Sequence, residues 1–293
     1  MLRIAIYGRN FDDEHTPYIQ RLFDQLDQID ASIVVYKRFY DYLLPRISMP
    51  ERVQPFVKQY RLTGKVDFLF SIGGDGTMLD ASTFVQTDSI PLIGFNTGRL
   101  GYLSAIALDE IDAALQSILD GSYDLEKRTM VKLETKDNPF GRYNLALNEI
   151  TVHKKDSSSM ITIHSYLNGE FLNSYWADGL IISTGTGSTA YNLSCGGPIM
   201  IPGCHNLVIT PIAPHNLNVR PIVVPNDSVL TLRPAGREKS VLVSLDSRSG
   251  SIEASNELTI VKSNHKLALL RLKDHSYLRT LRHKLNWGFD RRN

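Results

Sequence analysis

Apolar positions in the first third of the chain form two kinds of pattern. Short continuous runs predict buried strands over residues 3–7, 32–36, 67–72 and 91–95. Between the first two runs, apolar side chains recur every three or four residues over 16–29, and this spacing predicts an amphipathic helix. The residues on its apolar face are Tyr18, Ile19, Leu22, Phe23, Leu26 and Ile29. Residues 78–84 can begin another helix, and strands that alternate with helices indicate a mostly parallel, covered sheet.

The alternation of apolar runs with helical spacing ends near residue 126. From 130 to about 272 the apolar runs are short, rich in β-branched residues and separated by turn residues, which predicts a β-rich domain such as a sandwich. Asn168-Gly169 between two runs is typical of a hairpin turn. The runs cover 145–153, 160–167, 180–183, 207–212, 228–232, 240–245 and 258–261. Near the end of the chain, Leu278, Leu281 and Leu285 share one face of a predicted helix.

We therefore predict an α/β N-terminal domain over residues 1–125, an all-β C-terminal domain over 126–272 and a final segment over 273–293. The 293 residues are long enough for two domains. No run of about 18 apolar residues exists, so no transmembrane helix is expected. The first residues do not have the pattern of a signal peptide, and we expect a cytoplasmic protein.

The charge balance narrows the possible partners. Lys and Arg total 32, and Asp and Glu total 31, which gives a formal net charge of +1. A partner bound through bulk electrostatics, such as a nucleic acid or a membrane surface, is therefore not expected. A local site can still bind an anionic small molecule. The 2 cysteines exclude a disulfide scaffold and a Cys-rich zinc site.

A glycine turn follows the third predicted strand, at residues 71–77 (SIGGDGT). Gly73, Gly74 and Gly76 allow positive φ and a close approach of backbone N–H groups to phosphate. A helix that begins just after Gly76 would add the positive end of its dipole. Asp75 would repel a phosphate, so its presence indicates reacting chemistry or metal positioning. The alternative is that Asp75 only caps a helix.

Three further motifs have the composition of a nucleotide site. Residues 178–198 bring hydroxyls and glycines after a strand, where they can bind ribose or phosphate. This segment contains a loose match to the Rossmann glycine pattern, which we discount because no acidic residue follows at about 20 positions. Asn148-Glu149 could hold a ribose diol or an adenine edge, or could be a solvated strand edge. In the tight loop 96–102, Tyr102 could cover a ring.

Taken together and in order, these motifs resemble the NAD kinase family. The resemblance rests on residues 73–77, 96–102, 148–149, 178–198 and 281–287. The glycine turn is shared with lipid kinases and phosphofructokinases, whereas the Asn-Glu pair and the 178–198 segment are more specific. The resemblance implies an NAD kinase/diacylglycerol kinase-like two-domain architecture, in which the final segment packs back on the N-terminal domain.

The resemblance also implies a reaction: transfer of phosphate from ATP to the 2′-hydroxyl of the adenosine ribose of NAD, giving NADP and ADP. Asp75 would accept the proton of that hydroxyl. Gly73, Gly74, Gly76 and Thr77 would hold the ATP phosphates, with a divalent cation such as Mg²⁺ neutralising charge. NAD and ATP would be the ligands, and the family commonly forms homo-oligomers, either dimers or tetramers.

By the same resemblance, a larger set of residues would contact NAD. They are Asp75, Gly76, Tyr102, Asn148, Glu149, Asp178, Thr189, Ala190, Tyr191, Asn192, Leu193, Ser194, Ala213 and Arg248. The chain departs from the family pattern at Gly185, Trp176, Cys195 and Arg248.

Two other functions are weighed against this one. A lipid kinase of the same superfamily would not need Asn148-Glu149 followed by the 178–191 segment, and it would show a membrane-binding surface. A non-catalytic nucleotide-binding regulator would not need a base at Asp75.

Overall fold

The computed structural model describes residues 1–57, 62–85, 90–155, 160–236, 239–273 and 275–288. The chain divides into two compact units: unit 1 comprises Met1–Lys127 and Leu267–Asn293, and unit 2 comprises Arg128–Lys266. Within the predicted final segment, residues 274 and 289–293 lie outside the described residues.

The described residues form the following elements. The helices are α1 (Thr16–Gln28), α2 (Lys37–Leu43), α3 (Asp75–Ser82), α4 (Ile111–Leu119), α5 (Tyr191–Ser194) and α6 (Tyr277–Leu285). The strands are β1 (Arg3–Gly8), β2 (Ser32–Tyr36), β3 (Gln54–Phe56), β4 (Phe68–Ile72), β5 (Leu92–Asn96), β6 (Ile106–Ala107), β7 (Tyr123–Glu134), β8 (Leu145–Ala146), β9 (Glu149–His153), β10 (Ile161–Leu167), β11 (Glu170–Ala177), β12 (Gly179–Thr184), β13 (Asn206–Ile212), β14 (Ile222–Pro225), β15 (Leu230–Ala235), β16 (Ser240–Leu245), β17 (Arg248–Glu253) and β18 (Leu258–Leu272).

Unit 1 is built on a parallel sheet in the order β5-β4-β1-β2-β3. Every residue of β4 and β5 is buried, which explains their continuous apolar runs, since both faces of a covered parallel sheet lie in the core. On the far side of β5, Leu269 of β18 pairs with Leu92 in parallel. The predicted parallel, covered sheet is confirmed.

The helices of unit 1 match the sequence pattern only in part. Helix α1 buries Ile19, Leu22, Phe23 and Leu26, as its spacing predicted. Helix α3 begins at Asp75, so the prediction of a start just after Gly76 was wrong. Gly74, in an extended conformation, precedes the first turn, and an acidic residue there is stabilised by the positive end of the helix dipole. Helices α2 and α4 were not predicted.

Unit 2 consists of two sheets with its apolar core between them. One sheet has the order β14-β13-β12-β9-β16-β17, and its neighbouring strands are antiparallel. The other contains β11-β10-β15-β18, and β7 pairs with both β18 and β8. Ile150 and Ile182 of the first sheet share a buried cluster with Ile163 and Leu232 of the second, which is the sandwich arrangement that the short strands predicted.

One predicted run in unit 2 is interrupted in the structure. Residues 145–153 form two strands, β8 and β9, which are separated by Leu147 and Asn148. The break places Asn148 directly before β9 and Glu149 at its first residue, where strand hydrogen bonding resumes. Across the described residues, the helices are all too short or too polar to span a membrane.

Candidate active site

Asp75, the first residue of α3, anchors the loop that follows β5. Its Oδ2 accepts a hydrogen bond from the backbone N–H of Tyr102 at 2.8 Å. Its Oδ1 accepts two more, from the N–H groups of Leu103 at 3.0 Å and Ser104 at 2.9 Å. A carboxylate offers about four acceptor positions. Three are used here, and one position on Oδ2 is left for a further donor.

The glycines around Asp75 have different roles. Gly73 has φ of +145°, and a Cβ there would lie 2.3 Å from Thr77 Oγ1. Gly74 and Gly76 do not have positive φ, so the expectation of positive φ is met only at Gly73. A Cβ on either would meet open space. The Thr77 N–H donates to the Gly74 carbonyl at 2.9 Å. The earlier N–H groups at the start of a helix have no intrahelical partners, so the open side at Gly74 and Gly76 suits an anionic group.

The loop after β5 is tied to the glycine turn on several sides. The Asn96 amide nitrogen donates to the carbonyls of Arg99 at 2.8 Å and Ser104 at 3.0 Å. The Ser104 hydroxyl donates to the Gly73 carbonyl at 2.9 Å. Gly101 is essential to this geometry, because a Cβ there would lie 1.8 Å from Asp75 Oδ1. The loop backbone is therefore fitted closely around the carboxylate.

Tyr102 lies at the tip of this loop. Its ring centroid lies 4.9 Å from Lys284 Nζ and 6.1 Å from the ring of Tyr277. Its buried hydroxyl has no hydrogen-bond partner among the described residues. Burial, together with the charge of Asp75, raises the pKa of this hydroxyl. The hydroxyl therefore stays protonated and can donate to a ligand.

In unit 2, Asn148 and Glu149 are fixed through their backbone from both sides. Asp246 Oδ2 accepts a hydrogen bond from the N–H of Leu147 at 2.8 Å, and its Oδ1 accepts from Asn148 at 2.8 Å and Glu149 at 3.2 Å. On the other side, the Thr184 hydroxyl donates to the Leu147 carbonyl at 2.6 Å, and the Thr184 N–H donates to the Asn148 carbonyl at 2.8 Å. The pair is therefore presented by rigid backbone.

The side chains of this pair carry unsatisfied polar atoms. Asn148 Oδ1 and Glu149 Oε2 are buried and find no hydrogen-bond partner among the described residues. Burial, with a smaller contribution from the Asp246 charge, raises the pKa of Glu149 to about 8. A buried polar atom without a partner costs about 1–3 kcal/mol. A ligand that brings hydrogen bonds to these atoms would recover that free energy.

The predicted segment after β12 packs directly on this pair. Residues Gly187–Thr189 form a 3-10 turn, and a Cβ on Gly187 would lie 2.2 Å from the Asn148 carbonyl oxygen. Ala190 connects this turn to α5, and Tyr191 is 40% exposed. Helix α5 also contains Leu193 and Ser194, so these predicted residues follow directly after the turn that packs on Asn148.

Asn192 differs from its neighbours on α5. It is fully buried, and its amide nitrogen donates to the carbonyls of Ser188 at 3.0 Å and Pro198 at 3.1 Å. Its Oδ1 accepts from the Thr210 hydroxyl at 2.6 Å. The Asn192 side chain therefore fixes the turn and the helix that carry the other predicted residues.

Asp178 and Ala213 lie at the opposite end of β12. Asp178 N–H donates to the carbonyl of Ile212 at 2.9 Å, and Ala213, with φ of +45°, comes next in the chain. Asp178 Oδ1 pairs with Lys154 Nζ at 2.7 Å. Asp178 lies five residues before Ser183, which pairs with Glu149, so about 17 Å of extended chain separates Asp178 from the Asn-Glu pair, at about 3.3 Å per residue.

Arg248 uses its guanidinium on the backbone that precedes the Asn-Glu pair. Its two terminal nitrogens donate to the carbonyls of Tyr143 and Leu145. Asp246 lies in the turn between β16 and β17, Arg248 is the first residue of β17, and both hold the segment that leads into β9. The structure thus gives the predicted Arg248 a supporting position.

Sequence reasoning missed Asp246, Lys154 and Arg271, and it did not single out Thr184 within the 178–198 segment. An acid followed by Ser between two strands is typical of a turn residue, which hides the role of Asp246. Lys154 directly follows β9 and Asp178 directly precedes its neighbour β12, and a lysine directly after a predicted run was the available signal. Arg271 lies within an apolar run, LALLRL, where a charged side chain signals a buried partner.

These features define a two-domain nucleotide-binding protein with a Gly-Gly-Asp-Gly turn in its α/β unit. Family models match both parts: residues 10–123 match the ATP-NAD kinase N-terminal domain, and residues 147–272 match the ATP-NAD kinase C-terminal domain. The chain belongs to the NAD kinase family.

Relatives named NAD kinase match this chain along almost their full length. The NAD kinase of Cytophaga hutchinsonii is 46% identical over 290 residues, covering 99% of each chain. That of Flavobacterium psychrophilum is 46% identical over 294 residues, covering 100% of each chain.

Solved structures share the fold at lower sequence identity. Yeast NADH kinase complexed with NADH has a TM-score of 0.89 at 22% identity, covering 99% of this chain and 89% of that one. The NAD kinase from Archaeoglobus fulgidus in complex with ATP has a TM-score of 0.74 at 24% identity, covering 97% of this chain and 99% of that one.

Proposed function

We propose that this chain transfers a phosphoryl group from ATP to the 2′-hydroxyl of the adenosine ribose of NAD, giving NADP and ADP. The observation that carries the proposal is family membership along the whole length, with both family domains matched and relatives near half identical. The geometry adds support, because the residues that the family resemblance points to occupy fixed backbone with unsatisfied polar atoms.

In this proposal Asp75 accepts the proton of the 2′-hydroxyl. The acceptor position left on Oδ2 receives the hydroxyl hydrogen while three backbone N–H groups hold the carboxylate still. Phosphoryl transfer passes through a loose transition state, so the proton leaves late and a weak base is sufficient. Positioning of Asp75 then matters more than a high basicity.

Gly73, Gly74, Gly76 and Thr77 form the turn that holds the phosphates of ATP at the start of α3. The N–H groups of Gly73 and Thr77 donate to the carbonyls of Phe95 and Gly74, each at 2.9 Å, so the phosphate contacts come from the backbone of Gly74 and Gly76 and from the Thr77 side chain. The open space beside Gly74 and Gly76 allows the phosphates to approach the backbone. A divalent cation, such as Mg²⁺, enters as the complex with ATP and neutralises phosphate charge.

The NAD contacts follow from the unsatisfied atoms. Asn148 Oδ1 and Glu149 Oε2 accept hydrogen bonds from ribose hydroxyls or an adenine amino group. By the family resemblance, the residues that follow Gly187 line the same pocket: Thr189, Ala190, Tyr191, Leu193 and Ser194. Asp178, which directly precedes β12 and lies about 17 Å of extended chain from the Asn-Glu pair, binds the other half of the dinucleotide together with the backbone at Ala213. The family resemblance also assigns NAD contacts to Tyr102 and Gly76 of unit 1, and within unit 2 Asn192 and Arg248 support the backbone that carries the other residues.

The comparisons give no support to the lipid kinase alternative. A wider structural relationship to diacylglycerol kinases, a cytoplasmic location and a homo-oligomeric state stay predictions from the sequence. Light scattering on the purified protein tests the last of these.

The test is to incubate the purified protein with ATP, Mg²⁺ and NAD and to measure NADP with an NADP-specific dehydrogenase. Parallel reactions contain NADH or a diacylglycerol as the acceptor. The proposal expects NADP that depends on both ATP and the metal. No NADP with any of several metals and phosphoryl donors, or phosphorylation of the lipid alone, would overturn it.

A further inference from the structure

Arg271, near the end of β18, points its guanidinium at the loop that Asp75 holds. The side chain is 16% exposed. Its Nη2 donates to the carbonyl oxygen of Tyr102 at 2.8 Å, and its Nη1 approaches that of Leu103 at 3.5 Å. Its Nε pairs with Glu126 Oε2 at 3.3 Å. These atoms all belong to unit 1.

The same loop residues face Asp75 with their N–H groups. The carbonyl of Tyr102 and the N–H of Leu103 belong to one peptide group, and the carbonyl of Leu103 and the N–H of Ser104 belong to the next. Each of these two peptide groups therefore has the Arg271 guanidinium at its oxygen and the Asp75 carboxylate at its nitrogen. Hydrogen bonds in such a chain polarise and strengthen one another.

We propose that Arg271 is a positioning residue for Asp75 and acts through these two peptide groups. This inference rests on the proposed role of Asp75 as proton acceptor. The guanidinium fixes two successive carbonyls because its donors form a rigid planar fork. Glu126 holds the fork in place. Without the guanidinium the loop is held less firmly, and the Asp75 carboxylate can rotate away from the 2′-hydroxyl whose proton it accepts.

Arg271 lies beside a cavity, so it can be replaced without disturbing the packing of the apolar core. A cavity of about 350 Å³ adjoins Arg271, and its lining includes Tyr102, His275 and Tyr277. Water can reach the loop carbonyls through this cavity when the guanidinium is removed. We therefore expect variants at this position to fold with a looser loop.

The kinetic test compares Arg271→Met and Arg271→Lys with the control Arg3→Met. Arg3 makes a similar set of bonds elsewhere in unit 1, to the Asp67 carboxylate and the Gly64 carbonyl. Because small displacements of a reacting group cost up to about 100-fold, we expect Arg271→Met to lower kcat by about 10- to 100-fold. Arg271→Lys should recover part of that loss, and Arg3→Met should stay within about twofold of the parent.

Hydrogen exchange supplies a readout that does not need turnover. The loop N–H groups that donate to Asp75 should exchange at least about tenfold faster in Arg271→Met than in the parent chain or in Arg3→Met. Asp75→Asn should also speed the exchange of these loop N–H groups. Adding Arg271→Met to Asp75→Asn should then speed it by a smaller factor than Arg271→Met does in the parent chain.

The outcomes separate the two claims. An unchanged kcat, or unchanged loop exchange, in Arg271→Met would overturn the positioning role. If the parent chain formed no NADP, the proposed function would fail, and the exchange data alone would still decide whether Arg271 holds the loop around Asp75.

Discussion

Two hydrogen bonds join Asp246 and Glu149, although the negative charges of their carboxylates would repel each other. The Glu149 N–H donates to Asp246 Oδ1 at 3.2 Å, and the Asp246 N–H donates to the Glu149 carbonyl at 3.1 Å. The negative charge of Asp246 adds to burial in raising the pKa of Glu149. One carboxylate therefore fixes the position of Glu149 and also disfavours its ionisation.

Replacing Asp246 with Asn should weaken NAD binding. An amide can accept hydrogen bonds on only one side, so its NH₂ group would face the N–H of Leu147 or Asn148. The segment that presents Asn148 and Glu149 should loosen. We expect the KM for NAD to rise about tenfold or more and the free energy of unfolding to fall by about 1–3 kcal/mol. Steady-state kinetics and chemical denaturation measure the two effects.

The control for this variant is Asp227→Asn, which changes an exposed carboxylate in the same unit. Asp227→Asn should leave the KM for NAD and the free energy of unfolding nearly unchanged. A parental KM for NAD in folded Asp246→Asn would show that the three backbone bonds do not matter for binding.

Glu149 should make the stability of the protein depend on pH. Its pKa lies at about 8 in the folded chain, against 4.5 as the ordinary value. The folded state therefore holds a proton that the unfolded state releases between these two values, and the free energy of unfolding falls as pH rises from about 4.5 to about 8. Each pKa unit is about 1.4 kcal/mol. Burial also raises the pKa of Asp246, which gives a slope of the same sign.

Glu149→Gln tests this dependence. The variant should lose less stability than the parent between pH 6 and pH 9, as measured by thermal melts, and it should bind NAD more weakly. Glu253→Gln, at an exposed position on β17, should keep the parental slope. Identical slopes in the parent and in Glu149→Gln would contradict the assigned pKa.

The comparison of sequence with structure shows which interactions a local pattern can reveal. The spacing of Ile19, Leu22 and Phe23 determines α1, because a helix places them on one face. Helix α4 carried the same signal in Ile111, Ala114, Leu115 and Ile118 and was overlooked. Strand β17, with the sequence RSGSIE, gave little signal, because Gly and Ser have low strand propensity and its pairing with β16 stabilises it.

The site was predictable where residues adjacent in the chain carry the chemistry, as in the glycine turn and the Asn-Glu pair. It was not predictable where distant residues supply the support. Asp246 is 97 residues from Glu149 in the chain, and Arg271 is 169 residues from Tyr102. Only folding brings such partners together, and no local pattern in a single sequence indicates a contact between residues so far apart in the chain.

Gly101→Ala should disrupt the loop around Asp75. A methyl group at this position would overlap the carboxylate, since its Cβ would lie 1.8 Å from Oδ1. The loop or the carboxylate must then move, and we expect kcat to fall by about 10- to 100-fold. Steady-state kinetics measures this loss.

The matched control is Gly98→Ala in the same loop, where the nearest atom to a new Cβ is Asn96 Oδ1 at 3.9 Å. That distance is an ordinary contact, and activity should stay close to the parental value. Equal activity of the two variants would mean that the fit between Gly101 and Asp75 is not required.

The central claim, that Asp75 accepts the proton of the 2′-hydroxyl of NAD, is tested most directly by the kcat of NADP formation in Asp75→Asn at saturating ATP, Mg²⁺ and NAD. The control is Asp80→Asn, which changes a carboxylate on the same helix that pairs with Arg9. The account predicts a loss of about 10²- to 10⁴-fold in Asp75→Asn, with NAD binding retained and Asp80→Asn far more active. A kcat in Asp75→Asn close to that of the parent would contradict it.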